Sequence, residues 1–280
     1  MNIETAINNA QLILRKKLFK SPNLDCEILM SKAINEDRKF IILNPKHQLE
    51  KNKLHHFEKL VNERSKGKPI AYLIEKKDFW NSEFKINKDI LIPRPDTEII
   101  VAQVLKITKN KNKLRILEIG VGSGCVILSI LKEKKDFYGI GIDISKKCIS
   151  LSKINALKLN LTNRVKFLKY NVDNFSYGKY DLIVSNPPYI NQFDLKYLEK
   201  DVVNFEPKLA LDGGIDGLSE IRKVINKSSN LIKKNGKLIL EIGFNQKNKV
   251  KNLLINKGFY INQVVKDFAK NDRCIVCTKI

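Results

Sequence analysis

The residues Arg115-Ile116-Leu117-Glu118-Ile119-Gly120-Val121-Gly122-Ser123-Gly124 decide how this chain is built. A short apolar run stops at a glycine-rich turn, and Cys125-Val126-Ile127-Leu128 then carry the apolar character into a helix. Strand, tight turn and helix in that order are the layout with which an open α/β sheet presents a ligand at the carboxyl edge of its strands.

Downstream of Lys113 the same alternation repeats. Apolar runs at 115–119, 138–142, 165–169, 181–184, 237–242, 258–264 and 273–279 predict seven strands, separated by amphipathic, Lys-rich segments. The expected fold class is α/β, a doubly wound, seven-stranded Rossmann-like sheet. The last two runs are joined by a polar connection too short for a helix, so the final strand should run antiparallel.

Upstream, residues 1–75 read as a small helical domain. Ile3, Ala6, Ile7, Ala10, Leu12, Ile13 and Leu14 repeat at helical spacing, and Ser21-Pro22 predicts a capped helix start with Cys26, Leu29, Met30 and Ala33 on its apolar face. A third helix is expected over 51–64. From Ile70 to Ile92 the pattern turns extended, with Phe79, Trp80, Phe84, Ile86 and Ile90-Leu91-Ile92, separated by Asn and Lys turn residues, suggesting a hairpin. Residues 76–98 thus form a hairpin and a Pro-rich connector, whose Asp96 or Thr97 is expected to cap a helix over 98–108. Residues 99–280 form the sheet domain.

Composition narrows the classes. The 280 residues are 43% hydrophobic and 29% charged, ordinary globular values, with a formal net charge of +22. The excess is nearly all Lys and is spread along the whole chain, which argues against a dedicated nucleic-acid surface. The five cysteines are unevenly spaced, and Cys274-Ile275-Val276-Cys277 lies in a strand-like run where residues three apart face opposite ways. Buried reduced thiols are expected. The three histidines, His47, His55 and His56, lack ligand spacing, and no metal is expected. Residues 1–10 lack a secretory pattern, and the stretch 114–131 carries Arg115, Glu118 and three glycines, so it cannot span a membrane. The reading is a soluble, cytoplasmic monomer.

The glycine spacing separates candidate cofactors. The third glycine of the dinucleotide pattern would fall at Cys125, and no phosphate loop ending in Gly-Lys-Ser/Thr is present. S-Adenosyl-L-methionine carries no phosphate. It needs close backbone approach, which Gly120, Val121, Gly122, Ser123 and Gly124 permit, and donors at the helix start for its carboxylate. It also needs acceptors, for which Glu118 and Asp143 are placed to serve the amino group and the ribose hydroxyls. The adenine should lie near Asn171 and Val172.

Tyr180-Asp181-Leu182-Ile183-Val184 is a second buried run, and the double proline of Asn186-Pro187-Pro188-Tyr189 ends it. An amide or exocyclic amine nitrogen is a poor nucleophile because its lone pair is delocalised. Two acceptors, the Asn186 side-chain oxygen and the Pro187 carbonyl, can take its two N–H bonds and turn the lone pair toward a methyl donor, with Asn186 also bordering the cofactor. The prolines hold the carbonyl rigidly, and Tyr189 offers a face for stacking. Asn186, Pro187, Pro188 and Tyr189 are therefore the candidate catalytic residues of an N-methyltransferase.

With these motifs in place the chain resembles the peptide chain release factor glutamine methyltransferases over almost its whole length. The matching stretches include Gly67-Lys68-Pro69-Ile70-Ala71-Tyr72-Leu73, Phe79-Trp80, Ile92-Pro93-Arg94-Pro95-Asp96-Thr97-Glu98, Ser185-Asn186-Pro187-Pro188-Tyr189-Ile190 and Leu240-Glu241-Ile242-Gly243. The resemblance implies N5-methylation of the glutamine in the Gly-Gly-Gln loop of class-1 release factors, with the helical domain helping to dock that protein partner. It departs from the family at Glu75 and Lys270, where glycine is usual, and at Asn171-Val172, where an acidic-aromatic pair is common. The rivals are a ribosomal-protein glutamine methyltransferase, an adenine N6-methyltransferase acting on nucleic acid, and a binding module without activity.

Overall fold

The computed structural model describes all 280 residues, which fall into two compact units. The first comprises Met1–Lys76 and Glu199–Phe205. Helix α1 (Ile3–Lys16) starts where the Asn2 side chain accepts the Thr5 N–H at 2.9 Å, and it buries Ile3, Ala6, Ile7, Ala10 and Leu14, whereas Leu12 and Ile13 of the expected apolar set fall off that face and stand exposed. Helix α2 (Pro22–Ile34) begins with proline in the first turn, but the Ser21 side chain makes no cap bond. Two short helices were not expected. α3 (Arg38–Leu43) is capped by Asp37, which accepts the Phe40 N–H at 2.7 Å. After α4 (Lys51–Ser65) comes α5 (Ile70–Ile74), in place of the extended chain expected from Ile70 onward. A five-residue apolar run does not distinguish helix from strand by itself; here Leu73 packs into the helical core, which decides it. Arg64 is the polar centre of this unit. Its Nε donates to Asp25 Oδ2 at 2.7 Å, and its guanidinium lies 4.1 Å over the Phe19 ring.

The second unit spans Lys77–Leu198 and Glu206–Ile280. Strands β1 (Lys76–Phe79) and β2 (Ser82–Lys85) form the expected hairpin, whereas Ile90-Leu91-Ile92 joins no sheet. A single 3-10 turn at Pro95–Thr97 leads into α6 (Glu98–Ile107), with no side-chain cap from Asp96 or Thr97. Then follow β3 (Arg115–Ile119), α7 (Cys125–Glu133), β4 (Tyr138–Asp143), α8 (Lys146–Lys158), β5 (Val165–Lys169) and β6 (Tyr180–Ser185). Helix α9 (Lys200–Phe205) groups with the first unit, where Glu199 pairs with Lys20 at 2.7 Å. The chain closes with α10 (Ser219–Leu231), β7 (Ile232–Glu241), α11 (Lys247–Asn256), β8 (Phe259–Lys266) and β9 (Asp272–Lys279).

The seven-stranded sheet has the order β5-β4-β3-β6-β7-β9-β8, and β9 runs antiparallel to both neighbours, as expected. Alternate side chains feed two cores. Ile116 belongs to one and Leu117 to the other, and Cys274 and Cys277 divide in the same way. All five cysteines are free and buried. The order of the sheet reverses between β3 and β6, and the crevice at such a reversal, beyond the carboxyl ends of the strands, is where ligands bind. The glycine turn and Asn186 both follow those two strands directly.

The two positions at which glycine is usual in the resembling family, Glu75 and Lys270, have φ of 60° and 66°. The fold keeps the left-handed backbone there although the residue carries a side chain, a conformation that glycine adopts without steric cost.

Candidate active site

A cavity of about 490 Å³ opens at the β3/β6 reversal, within the range of small-molecule sites. Glu118, Gly120, Val121, Gly122, Ser123, Asp143, Asn171, Val172, Asn186, Pro187 and Pro188 all line it. Gly124 and Tyr189 do not.

The glycine end is closed on itself by backbone bonds. The N–H groups of Gly120 and Val121 both donate to the Ile142 carbonyl, at 2.9 and 3.0 Å, and Gly122 N–H donates to Asp143 Oδ2 at 3.0 Å. Gly122 has φ +54°, and a Cβ built on it would meet nothing within 4 Å, so the loop leaves a cradle that any side chain would enter. Gly124 has a different task. A Cβ there would come within 3.0 Å of Leu128 Cδ1 and 3.2 Å of Ser152 Cβ, so its small size lets α7 pack. The helix start is less available than expected. Cys125 N–H is taken by Ser123 Oγ at 3.3 Å, and Ile127 N–H by Glu118 Oε2 at 3.0 Å.

Glu118 is buried, and burial drives its pKa well above the usual carboxylate value, with the Ile127 N–H opposing and the Asp143 charge adding to the shift. Burial also raises Asp143, against the N–H groups of Ser145 and Gly122 that favour its charge. The basic groups around the cavity are already paired: Lys223 with Glu220 at 2.7 Å, Lys147 with Asp89 at 2.7 Å, and Arg94 with the buried Glu206. A cation therefore suits this end better than an anion. A glycine cradle beside two uncompensated acids fits S-adenosyl-L-methionine, whose sulfonium and ammonium groups are positive.

The other end is held by side chains from remote segments. Ser185 Oγ donates to the Ile119 carbonyl at 2.7 Å, fastening the tip of β6 to β3. Asn186 Nδ2 donates to Thr97 Oγ1 at 3.0 Å, so the Thr97 hydroxyl binds Asn186 instead of capping α6. No donor of the chain takes the Pro187 carbonyl. Tyr189 turns its hydroxyl to Glu241 Oε1 at 3.3 Å, while Arg273 Nη1 donates to the same hydroxyl at 3.3 Å and the guanidinium lies 5.9 Å over the ring. The stacking face expected of Tyr189 is thus not among the cavity walls; the residue anchors the loop from behind. Gln246 Nε2 completes the anchorage, donating to the carbonyls of Tyr189 and Gly217 at 2.9 and 3.0 Å. Burial pushes the Glu241 carboxyl up to about 7, opposed by hydrogen bonding from Thr97 and by the Arg273 charge. Thr97, Glu241, Arg273 and Gln246 were not picked out as site residues from the sequence. Each lies in a segment whose local pattern states only a helix or strand end.

Fold and site together define an S-adenosyl-L-methionine-dependent methyltransferase. The PrmC N-terminal domain family matches residues 5–74, and the Methyltransferase small domain family matches residues 97–205. The release factor glutamine methyltransferase of Clostridium acetobutylicum is 37% identical over 284 residues, covering 100% of this chain and 99% of its own length. That of Buchnera aphidicola subsp. Baizongia pistaciae is 38% identical, with 100% of both chains covered. A bifunctional methyltransferase of Rickettsia typhi is 34% identical, and this chain spans 58% of its length. Among solved structures, a methyltransferase from Pyrococcus furiosus shares the fold with a TM-score of 0.53 at 18% identity, covering 70% of this chain and 88% of its own. The chain belongs to the release factor glutamine methyltransferase family.

Proposed function

We propose that this protein methylates the side-chain amide nitrogen, N5, of the glutamine in the Gly-Gly-Gln motif of class-1 peptide chain release factors. The observation that carries the reading is the orientation of Asn186. With Nδ2 spent on Thr97, Oδ1 remains as an acceptor next in sequence to the unoccupied Pro187 carbonyl. These two oxygens take the two N–H bonds of a carboxamide. Held so, the nitrogen lone pair leaves conjugation and points along one line of attack.

S-Adenosyl-L-methionine supplies the methyl group on a positively charged sulfur. When bound, it would give up its sulfur–carbon bond to the incoming nitrogen, and the amide proton would pass to solvent after transfer, so Asn186 and Pro187 need only orient and stabilise. Fixed acceptors of this kind lower the barrier because they are in place before charge develops, and orientation is worth roughly 7–11 kcal/mol in favourable cases. Gly120 to Ser123 admit the cofactor closely. Glu118 and Asp143, once ionised, would accept from its ammonium group and ribose hydroxyls, and Asn171 and Val172 would border the adenine. Gly124 and Tyr189 act from outside the cavity, by letting α7 pack and by anchoring the Pro-Pro loop. The helical unit docks the protein substrate.

The test is incubation with isotopically labelled cofactor and three acceptors in parallel: a purified class-1 release factor, ribosomal protein and DNA. Mass spectrometry should find one methyl group on the Gly-Gly-Gln glutamine. Label on a ribosomal-protein glutamine would move the substrate, and label on adenine would overturn the reading.

A further inference from the structure

Glu241 is a buried carboxyl that the chemistry above does not use, and it lies at the end of β7 beside the strand that presents Asn186. The register pairs Leu240 with Ser185, so the next residue on each strand is Glu241 and Asn186. The groups facing Glu241 come from three elements. They are Asp96 and Thr97 before α6, Tyr189 after β6, and Arg273 and Cys274 on β9. Its presence is not explained by a need to neutralise Arg273. That guanidinium has its own partner, Asp267, bonded from Nη2 at 2.9 Å, and Asp267 is itself buried. Glu241 Oε2 has no hydrogen-bond partner at all, an arrangement with no merit for stability.

The directions of the protons give the carboxylate a task. Arg273 can only donate, so the Tyr189 oxygen accepts from it and the phenolic proton goes to Glu241 Oε1. Thr97 Oγ1 accepts from Asn186, so its own proton is directed elsewhere; the Glu241 carboxyl is close by, and its unpartnered Oε2 is the acceptor open to that proton. We propose that Glu241 is a positioning residue for methyl transfer, fixing the Asn186 carboxamide with its oxygen turned to the cavity by accepting the hydroxyl protons of Thr97 and Tyr189. The inference rests on the catalytic reading of Asn186. An ionised carboxylate is acceptor-only, so Thr97 has one available direction and Asn186 one orientation. A group that also donates, such as a carboxamide or a protonated carboxyl, can bond the Thr97 oxygen instead. The Thr97 proton is then released toward Asn186, the amide reverses, and an N–H faces the substrate N–H.

The experiment compares wild type with Glu241→Gln, Thr97→Val, Thr97→Ser and the double variant E241Q/T97V, using a Gly-Gly-Gln peptide at saturating S-adenosyl-L-methionine. In E241Q, kcat should fall by ten- to a hundredfold, the scale on which misplaced groups are felt, with peptide KM and cofactor Kd changed less than about twofold. The wild-type rate should rise as pH climbs through about 7, where Glu241 ionises, and that rise should vanish in E241Q. T97V should match E241Q, T97S should recover most of the rate, and the double variant should be no worse than T97V. A readout independent of turnover is the nitrogen-15 side-chain resonance of Asn186: one Nδ2 proton should exchange slowly in wild type and rapidly in E241Q. Wild-type kcat and pH profile in E241Q, an unchanged Asn186 resonance, or parallel loss of kcat, cofactor binding and Tm would each overturn the proposal. If the wild type methylates no glutamine, the reading of the function fails, and the Asn186 resonance alone decides whether Glu241 orients that amide.

Discussion

The two ends of the cavity are built on different principles. At the glycine end, groups within one turn of chain and the neighbouring strand satisfy one another: Gly120 and Val121 on Ile142, Gly122 on Asp143, Cys125 on Ser123. At the Asn186 end, each contact reaches across the sequence, 89 positions to Thr97, and from Tyr189 52 positions to Glu241 and 84 to Arg273. A locally closed loop yields a robust shape that a ligand fits by its bulk and charge. A convergent set of side chains yields the direction of a single amide. The first arrangement suits binding and the second suits chemistry.

Substitutions separate the two. Asn186→Ala should lower kcat by on the order of 10²–10³, as removal of one fixed hydrogen-bonding group from a reacting centre does, while calorimetric cofactor affinity stays near wild type. Equal losses of both would dissolve the contrast. Glu241→Gln should also change the pH dependence of folding. The folded carboxyl titrates near 7, above its ordinary 4.5, so its contribution to stability is complete below about pH 4.5 and is lost as pH rises through 7. Chemical denaturation should show the wild type losing roughly 3 kcal/mol more than E241Q across that window; parallel curves would refute it.

At the other end, Gly122→Ala should weaken cofactor binding about tenfold, because the new Cβ enters the cradle at a positive φ, with a fold cost of roughly 1–2 kcal/mol. Gly124→Ala should instead lower Tm through its contacts with Leu128 and Ser152, with a smaller effect on Kd. The gentlest expectation concerns protons. Glu118 and Asp143 are both raised by burial and must ionise to meet a cationic cofactor, so affinity should decline as pH falls. Calorimetry in buffers of different ionisation enthalpy should register proton release on binding.

This contrast explains what could be read from the sequence. The strands, their order-breaking antiparallel end and the glycine turn are local patterns of apolar period and turn residues, and the observed strands follow the expected runs, except that β7 starts at Ile232 rather than at 237, through a polar stretch that carries no strand pattern. The short helices Arg38–Leu43 and Ile70–Ile74 escaped because six and five residues hold too little of a helical period. Thr97 looked like a cap because every Thr before a helix does; only the tertiary position of Asn186 gives its hydroxyl other work. The inward turn of Tyr189 depends on Glu241 and Arg273 meeting it from two other strands, which no neighbouring residue announces.

Cys274 and Cys277 sit on one strand yet belong to the cores on opposite faces of the sheet, and burial raises both thiols far above the range where thiolates form readily. An alkylating reagent can reach either only after its own layer of helices has lifted. The order in which these two sulfurs become labelled in mild denaturant is therefore a clock for which side of the sheet opens first, read without adding any probe to the molecule.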